Sequence, residues 1–377
     1  MKTSAAVLEE MGLPAPYQDS QPLSVGEVDL GIPGPGEALV RIAAAGLCHS
    51  DLSVIDGSRP RPMPMVLGHE AAGVVEEVGA DVSYVRPGDH VVFAFVPACG
   101  QCTPCLSGRP ALCEPGARAN AAGTLLSGAR PFRRADEPLH QHLGVSGFAE
   151  RTVASVASMV TLPPDLPLEQ AALFGCALLT GVGAVVNTAR AEPGTPVVVF
   201  GLGGVGLSAV MGARLVGCHP IVAVDSVESK LPRAERVGAS HTLLADETVV
   251  DAVREATDGG ARYAFEAVGS ARVLATAYAA TRRGGTTVSI GLPHPDQRLE
   301  IPAVTVVTEE RRLVGSYMGS SVPRRDIPRY VALYRAGLLP VDELESGTLT
   351  LDEINAGFDK LAGGEVVRQV LLFEPVP

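Results

Sequence analysis

A short apolar run, Val197–Phe200, breaks directly into Gly201-Leu202-Gly203-Gly204-Val205-Gly206 and continues as the helix-forming stretch LSAVMGARLVG. A strand that must turn at once into a helix through that many glycines points to the first unit of a doubly wound parallel sheet. The alternation continues downstream: IVAVD (221–225), helical ESKLPRAERVG, YAFEAVG, a helical stretch at 270–282, then TTVSIGL. This βαβ pattern predicts a Rossmann-type α/β domain over residues 178–320. In the glycine run, Gly201 permits the tight turn and Gly203 and Gly204 let backbone approach a pyrophosphate. Gly206 permits close helix–strand packing, and the helix N-terminus, with Val205 counted among the cofactor-binding residues, favours negative phosphate. Asp225 ends the next strand, 19 residues beyond Gly206. An acid there accepts hydrogen bonds from a ribose diol and repels a 2′-phosphate, which predicts NAD rather than NADP. Glycines alone would equally make a plain tight turn; the strand, helix and acid around them carry the cofactor reading. Lys230 is either a further ribose contact or a solvated helix residue.

The first third of the chain has a different texture. Short runs such as GEALVRIAAAG (36–46) and GVVEEVG (73–79), separated by turn signals such as Pro87-Gly88-Asp89, predict a mainly β, barrel-like region. Residues 114–147 are polar and arginine-rich and read as an irregular lobe, and the tail from 321 mixes one helix with two short strands. With 377 residues the chain is long enough for about two domains. Its net charge of −12 argues against nucleic acid or an anionic membrane as a partner. The acids in MKTSAAVLEEMG and the lack of a long uninterrupted apolar run predict neither export nor a membrane span.

The seven cysteines are an odd count, which argues against a disulfide framework and for a reducing, cytoplasmic setting. Cys99, Cys102, Cys105 and Cys113 fall within fifteen residues, interleaved with Gly, Gln, Thr and Pro. Four thiolates in so short a loop can wrap a tetrahedral zinc and leave no open position, so a structural zinc lobe is expected at about 95–115. An iron–sulfur cluster is the minor alternative. Cys48 in GLCHSD, His69 in LGHEAAG and Cys176 in FGCALLTG each admit a packing role, and spacing alone does not join them. Three such ligands with one open position would suit a catalytic zinc.

Taken together, GLCHSD, GHEAAGVVEEVG, the four-cysteine lobe, GCALLTGVGA, GLGGVG and GEVVRQVLLF resemble the zinc-dependent alcohol dehydrogenases of the medium-chain dehydrogenase/reductase superfamily. The resemblance runs over essentially the whole chain, and the 114–147 segment is similar to the long-form branch that includes thiol-dependent formaldehyde dehydrogenases. It implies a GroES-like catalytic domain at 1–177 and 321–377 around the Rossmann domain, and hydride transfer between an alcohol or aldehyde and NAD, with two zinc ions per chain. Cys48, His69 and Cys176 would hold the catalytic zinc, with Glu70 able to approach it and Asp51 orienting His69. Ser50 would take the alcohol proton, His49 and Arg368 would meet the pyrophosphate, and Thr180 the nicotinamide. Phe95, His142, Leu143, Leu292 and Tyr317 would line the substrate pocket. A dimer through cofactor-sheet edges near 301–319 is the family expectation, with a tetramer as the alternative.

One position departs from many relatives: five residues beyond Cys48, where a histidine ends their proton relay, this chain has Ser53. Serine is no base near neutral pH, so the relay must end in water or another group. Two other readings compete with the alcohol dehydrogenase. One is a thiol-dependent formaldehyde dehydrogenase whose cosubstrate meets Arg118, Arg130, Arg133 and Arg134. The other is a non-catalytic binding protein, which the presence of all three zinc ligands opposes.

Overall fold

The computed structural model describes residues 1–373, and its chain divides into two compact units. The first comprises Met1–Cys176, Val322–Pro328 and Glu345–Pro377, and the second Ala177–Ser321 and Arg329–Leu344. The sequence assigns 1–177 and all of 321–377 to the first unit; Arg329–Leu344 instead belongs to the second, as do Ala177 and Ser321 at the boundaries. The break falls inside one helix, Pro323–Arg335, so no loop or change of composition marks it.

The first unit is built on two sheets. One runs in the order Glu137–Pro138, Phe132–Arg134, Leu23–Leu30, Lys2–Leu8, Met65–Val66, His140–Gln141. The other runs Met159–Leu162, His90–Phe93, Glu70–Val78, Glu37–Gly46, Val370–Leu372, Thr348–Leu349, with Arg151–Ser155 also paired to Glu37–Gly46. Glu37–Gly46 and Glu70–Val78 combine runs of small residues with branched ones and are buried on both faces along most of their length. Val40, Ile42, Val75, Phe93, Phe148 and Phe358 share one buried core, and Phe148 meets Phe358 edge to face at 6.0 Å.

The 114–147 segment is more regular than its polar composition predicts. Glu114–Ala122 is a helix, and Phe132–Arg134, Glu137–Pro138 and His140–Gln141 are strands. The helix carries the usual boundary signals: Cys113 caps it, a proline sits in its first turn, and Gly123 ends it in a left-handed conformation.

The second unit is a six-stranded, all-parallel sheet ordered His241–Leu244, Ile221–Asp225, Val197–Phe200, Ala261–Glu266, Thr281–Ser289, Arg312–Gly315. Val198, Phe200, Val222, Val224 and Ala264 form its buried centre with helices Val249–Ala256 and Ala271–Ala280. The helical run Leu168–Ala189 is long and apolar enough to cross a bilayer, the single such run among the described residues. It is mostly buried inside the protein, as a core helix is. Its glycines and threonine hid it from a count of uninterrupted apolar residues.

Phe358 comes from the C-terminal part of the chain and completes the first unit's core. Phe358→Ala should therefore lower that unit's stability by about 3–5 kcal/mol, read as a reduced urea midpoint.

Candidate active site and cofactor cradle

Strand pairing assembles the first site. Glu37–Gly46 and Glu70–Val78 run antiparallel with Gly46 opposite Glu70, so Cys48 just past one strand meets His69 just before the other. Val370 also pairs with Gly46, and Leu47 N–H donates to Gln369 O at 3.0 Å, which brings Arg368 alongside. Cys176 arrives because Gly175 has no side chain: a Cβ there would lie 2.0 Å from Phe93 O, on the strand that pairs with Glu70–Val78.

The donor atoms of Cys48, His69, Glu70 and Cys176 all lie within 4.8 Å of one another, and all four residues are buried. His69 Nε2 stands 3.4 Å from Cys176 Sγ, while its Nδ1 donates to Asp51 Oδ1 at 2.9 Å. A tetrahedral zinc with bonds of about 2.0–2.3 Å spaces its ligands by roughly 3.4–3.8 Å. Cys48 caps helix His49–Ile55 and accepts from Ser50 N–H at 3.5 Å. A hydrogen bond from Cys176 draws the Cys48 thiol well below its ordinary range. Burial opposes a charged His69, but the Asp51 carboxylate outweighs it and raises the imidazole. Burial lifts Glu70 to about 7, and neither Glu70 oxygen has a hydrogen-bond partner among the described residues. Arg368 Nε lies 3.7 Å from Glu70 Oε1, and its Nη1 donates to Leu47 O at 2.7 Å. Two thiols, an imidazole and an unsatisfied carboxylate around one point form a donor set that fits a divalent, sulfur-tolerant cation.

The four cysteines of the lobe, Cys99, Cys102, Cys105 and Cys113, also bring their sulfurs within 4.8 Å of one another. Cys102 Sγ and Cys113 Sγ are 3.9 Å apart, and N–H groups of Cys99 and Gly116 donate to Cys113 Sγ at 3.2 and 3.4 Å. Backbone hydrogen bonding, that of Cys105 first, brings Cys102 down to about 7, whereas burial pushes Cys105 up to about 12. Four thiols packed this closely become thiolates together only around a cation, so this set fits structural zinc.

The second unit holds the glycine run. A Cβ on Gly206 would sit 1.7 Å from Gly201 O, while the space beside Gly203 is open. Helix Gly204–Leu215 starts there, with Gly203 as its N-cap. Asp225 Oδ2 accepts from Leu202 N–H at 2.7 Å, Oδ1 accepts from Val227 N–H at 2.9 Å, and Lys230 Nζ lies 4.0 Å away. The carboxylate thus braces the glycine turn and keeps lone pairs for a ribose.

Of the residues expected in the substrate pocket, Phe95 packs edge-on against His69 at 5.6 Å and His142 lies in the same cluster. His142 is buried, with Nδ1 3.1 Å from Asp51 Oδ1, and burial lowers its pKa. Leu143 is buried in the first unit, whereas Leu292 and Tyr317 are exposed side chains of the second. His49 is exposed, Ser50 is half-buried, and Thr180 is a buried residue of the second unit. Arg368, expected at a pyrophosphate, is buried against Glu70. Sequence reasoning missed Asn120, whose Nδ2 donates to Phe95 O at 2.8 Å and ties the helix after Cys113 to the ring beside His69. An asparagine inside an Ala-rich helix was its sole signal.

A family model described as the zinc-binding dehydrogenase matches residues 204–336, and one described as the alcohol dehydrogenase GroES-like domain matches 34–164. An S-(hydroxymethyl)glutathione dehydrogenase of Paracoccus denitrificans is 37% identical, covering 99% of this chain and 100% of the relative. An alcohol dehydrogenase zinc-binding domain protein from Burkholderia ambifaria superposes with a TM-score of 0.93 at 36% identity, over 100% of both chains. Benzyl alcohol dehydrogenase from Acinetobacter calcoaceticus gives 0.92 at 31%, over 99% of this chain and 100% of that one.

Gly206→Ala should weaken NADH binding by roughly tenfold or more, since the backbone must shift by an amount that costs about 1–3 kcal/mol. A fluorescence titration measures it.

Proposed function

The chain belongs to the zinc-binding alcohol dehydrogenases of the medium-chain superfamily, and from that premise we propose an NAD-dependent enzyme that oxidises a free alcohol, or reduces the matching carbonyl, at the Cys48–His69–Cys176 site. That it is an oxidoreductase using zinc and a nicotinamide cofactor follows from the family. The observation that carries the rest is the convergence of those three donors with His69 Nδ1 held by Asp51.

Bound there, zinc would supply Lewis acidity toward the substrate oxygen and the nicotinamide would supply the hydride acceptor. Ser50, in the first turn of helix His49–Ile55, receives the substrate hydroxyl proton at Oγ. Ser53 Oγ donates to Ser50 O at 3.0 Å, a bond that keeps it in place without making it a base, so the proton leaves to water. Glu70, buried and with neither oxygen hydrogen-bonded among the described residues, would be the acid able to approach a bound metal. Phe95, His142 and Leu143 of the first unit are assigned to the substrate region, and the assignment of Leu292 and Tyr317 to it rests on the family resemblance alone. His49 and Arg368 are assigned to the pyrophosphate and Thr180 to the nicotinamide. Asp225 and Lys230 take the adenosine ribose, which favours NAD. The four-cysteine set takes a second zinc.

Thiol-dependent formaldehyde oxidation is the second reading, supported by the full-length likeness to the S-(hydroxymethyl)glutathione dehydrogenase. Against it, Arg134 is already bidentate to Glu9 at 2.6 and 2.8 Å, and Arg133 donates to Asp136 O at 2.6 Å. The seven free cysteines fit the reducing cytoplasm. A homodimer is supported by the open edge of strand Arg312–Gly315 and by exposed Leu313, Val304, Val306 and Val307 beside it in sequence.

NADH formation should appear with a panel of primary, secondary and aromatic alcohols without added thiol. Activity confined to formaldehyde plus a low-molecular-weight thiol would transfer the assignment to the second reading. Cys176→Ser should abolish turnover while NADH still binds; unchanged turnover would refute the ligand assignment. Asp225→Ser should lower kcat/KM with NAD and narrow its preference over NADP by roughly tenfold or more, because the repulsion of a 2′-phosphate is gone.

A further inference from the structure

His142 occupies a position expected in the substrate pocket, yet its ring is turned toward the support of the metal ligand. Its Nδ1 lies 3.1 Å from Asp51 Oδ1, the oxygen that His69 Nδ1 reaches at 2.9 Å. The two rings stand perpendicular, at 89°, with centroids 5.5 Å apart. Asp51, His69 and His142 are all 1% exposed or less; Asp51 Oδ2 and both ring nitrogens of His142 have no aligned hydrogen bond among the described residues, so His142 Nδ1 meets Asp51 Oδ1 as a close polar contact. The carboxylate is therefore oriented almost entirely through one oxygen. With His69 alone on that oxygen, the carboxylate could swing; a second polar group 3.1 Å away, on a ring perpendicular to that of His69, favours one orientation electrostatically.

The backbone that presents His142 is held from several sides. His142 N–H donates to Ser146 Oγ at 2.9 Å, and that hydroxyl donates to Val66 O at 2.7 Å, close to His69 in the chain. The N–H groups of Val145 and Ser146 return to His142 O at 2.9 and 3.1 Å. Buried Gln141 donates to the carbonyls of Val145 and Val153. Leu143 and Ser146 adopt φ of 49° and 53°, a region that side chains enter only when the surroundings impose it. Strained, over-determined turns of this kind gather where a side chain must be placed accurately.

We propose that His142 is a positioning residue for the catalytic metal: by sharing Asp51 Oδ1 with His69, it fixes the carboxylate so that the His69 ring keeps Nε2 aimed at the ion. The proposal rests on the zinc reading of the Cys48–His69–Cys176 site. It separates a role in metal holding from contact with substrate, and from mere filling of space. Asparagine can place an amide N–H where Nδ1 stands; phenylalanine keeps the volume without a donor, and glutamine places its amide too far along.

The test uses the purified, zinc-loaded enzyme and follows zinc release into excess chelator, beside the visible spectrum of the cobalt-substituted protein. Wild type should hold two zinc ions. His142→Phe should release the catalytic ion faster, on the order of tenfold or more, and shift the cobalt bands, as loss of a ligand-orienting partner does. The four-cysteine ion should leave at its normal rate. His142→Asn should restore both readouts to near wild type. If His142→Phe does not fold, His142→Gln takes its place with the same expectation. Wild-type release and spectrum in His142→Phe, or in His142→Gln where that replaces it, would overturn the proposal. So would equal acceleration in His142→Asn, which would make the role one of packing. A wild type that holds zinc only at the four-cysteine site would refute the underlying zinc reading itself.

Discussion

The antiparallel pairing of Glu37–Gly46 with Glu70–Val78, in the register that sets Gly46 opposite Glu70, is the constraint on which the first site depends. A slip of one residue would turn every side chain of one strand to the other face. Cys48 and His69 would then part, and Glu70 would lose its place against Arg368. The same strand end receives Val370, so one register decides the position of four functional side chains from three distant stretches of chain. Hydrophobic burial on both strands holds that register, which means the core is also the alignment device for the chemistry.

Around that point the protein buries an unusual density of ionisable groups: Asp51, Glu70, His69, Arg368 and two thiols. Isolated, each would carry a large desolvation cost. Pairing lowers it in part, through Asp51 with His69 and Glu70 with Arg368. What stays uncompensated lies on the sulfur and carboxylate side, and a bound cation would complete the balance. Local rules of burial are broken here in the way they are at functional sites. The four-cysteine lobe shows the same logic in simpler form, with backbone N–H groups aimed at sulfur.

The second unit solves a different problem, bringing backbone close to a polyanion. Gly206 lets the helix start against Gly201, and Asp225 ties the turn to the neighbouring strand through Leu202 and Val227. The residue that would read the ribose is thus also a brace for the phosphate turn. Structural and recognition roles share one carboxylate, so substitutions at Asp225 act on both.

Sequence alone determined whatever depends on local order. The β–glycine–α run with Asp225 at the next strand end, the βαβ alternation and the four-cysteine loop are all short-range patterns whose physics is complete within some thirty residues. Family resemblance, rather than spacing, joined Cys48, His69 and Cys176, because nothing local relates positions separated by such long stretches of chain. Only the tertiary structure decided the strand register that unites them and the passage of Arg329–Leu344 to the second unit midway along a helix. It also decided the order within 114–147, where helix signals were masked by polar composition. It turned His142 onto Asp51 and placed Asn120 against Phe95, contacts set by packing between segments. A side chain's partner across the fold is fixed by burial and register, and those exist only once the chain has closed on itself.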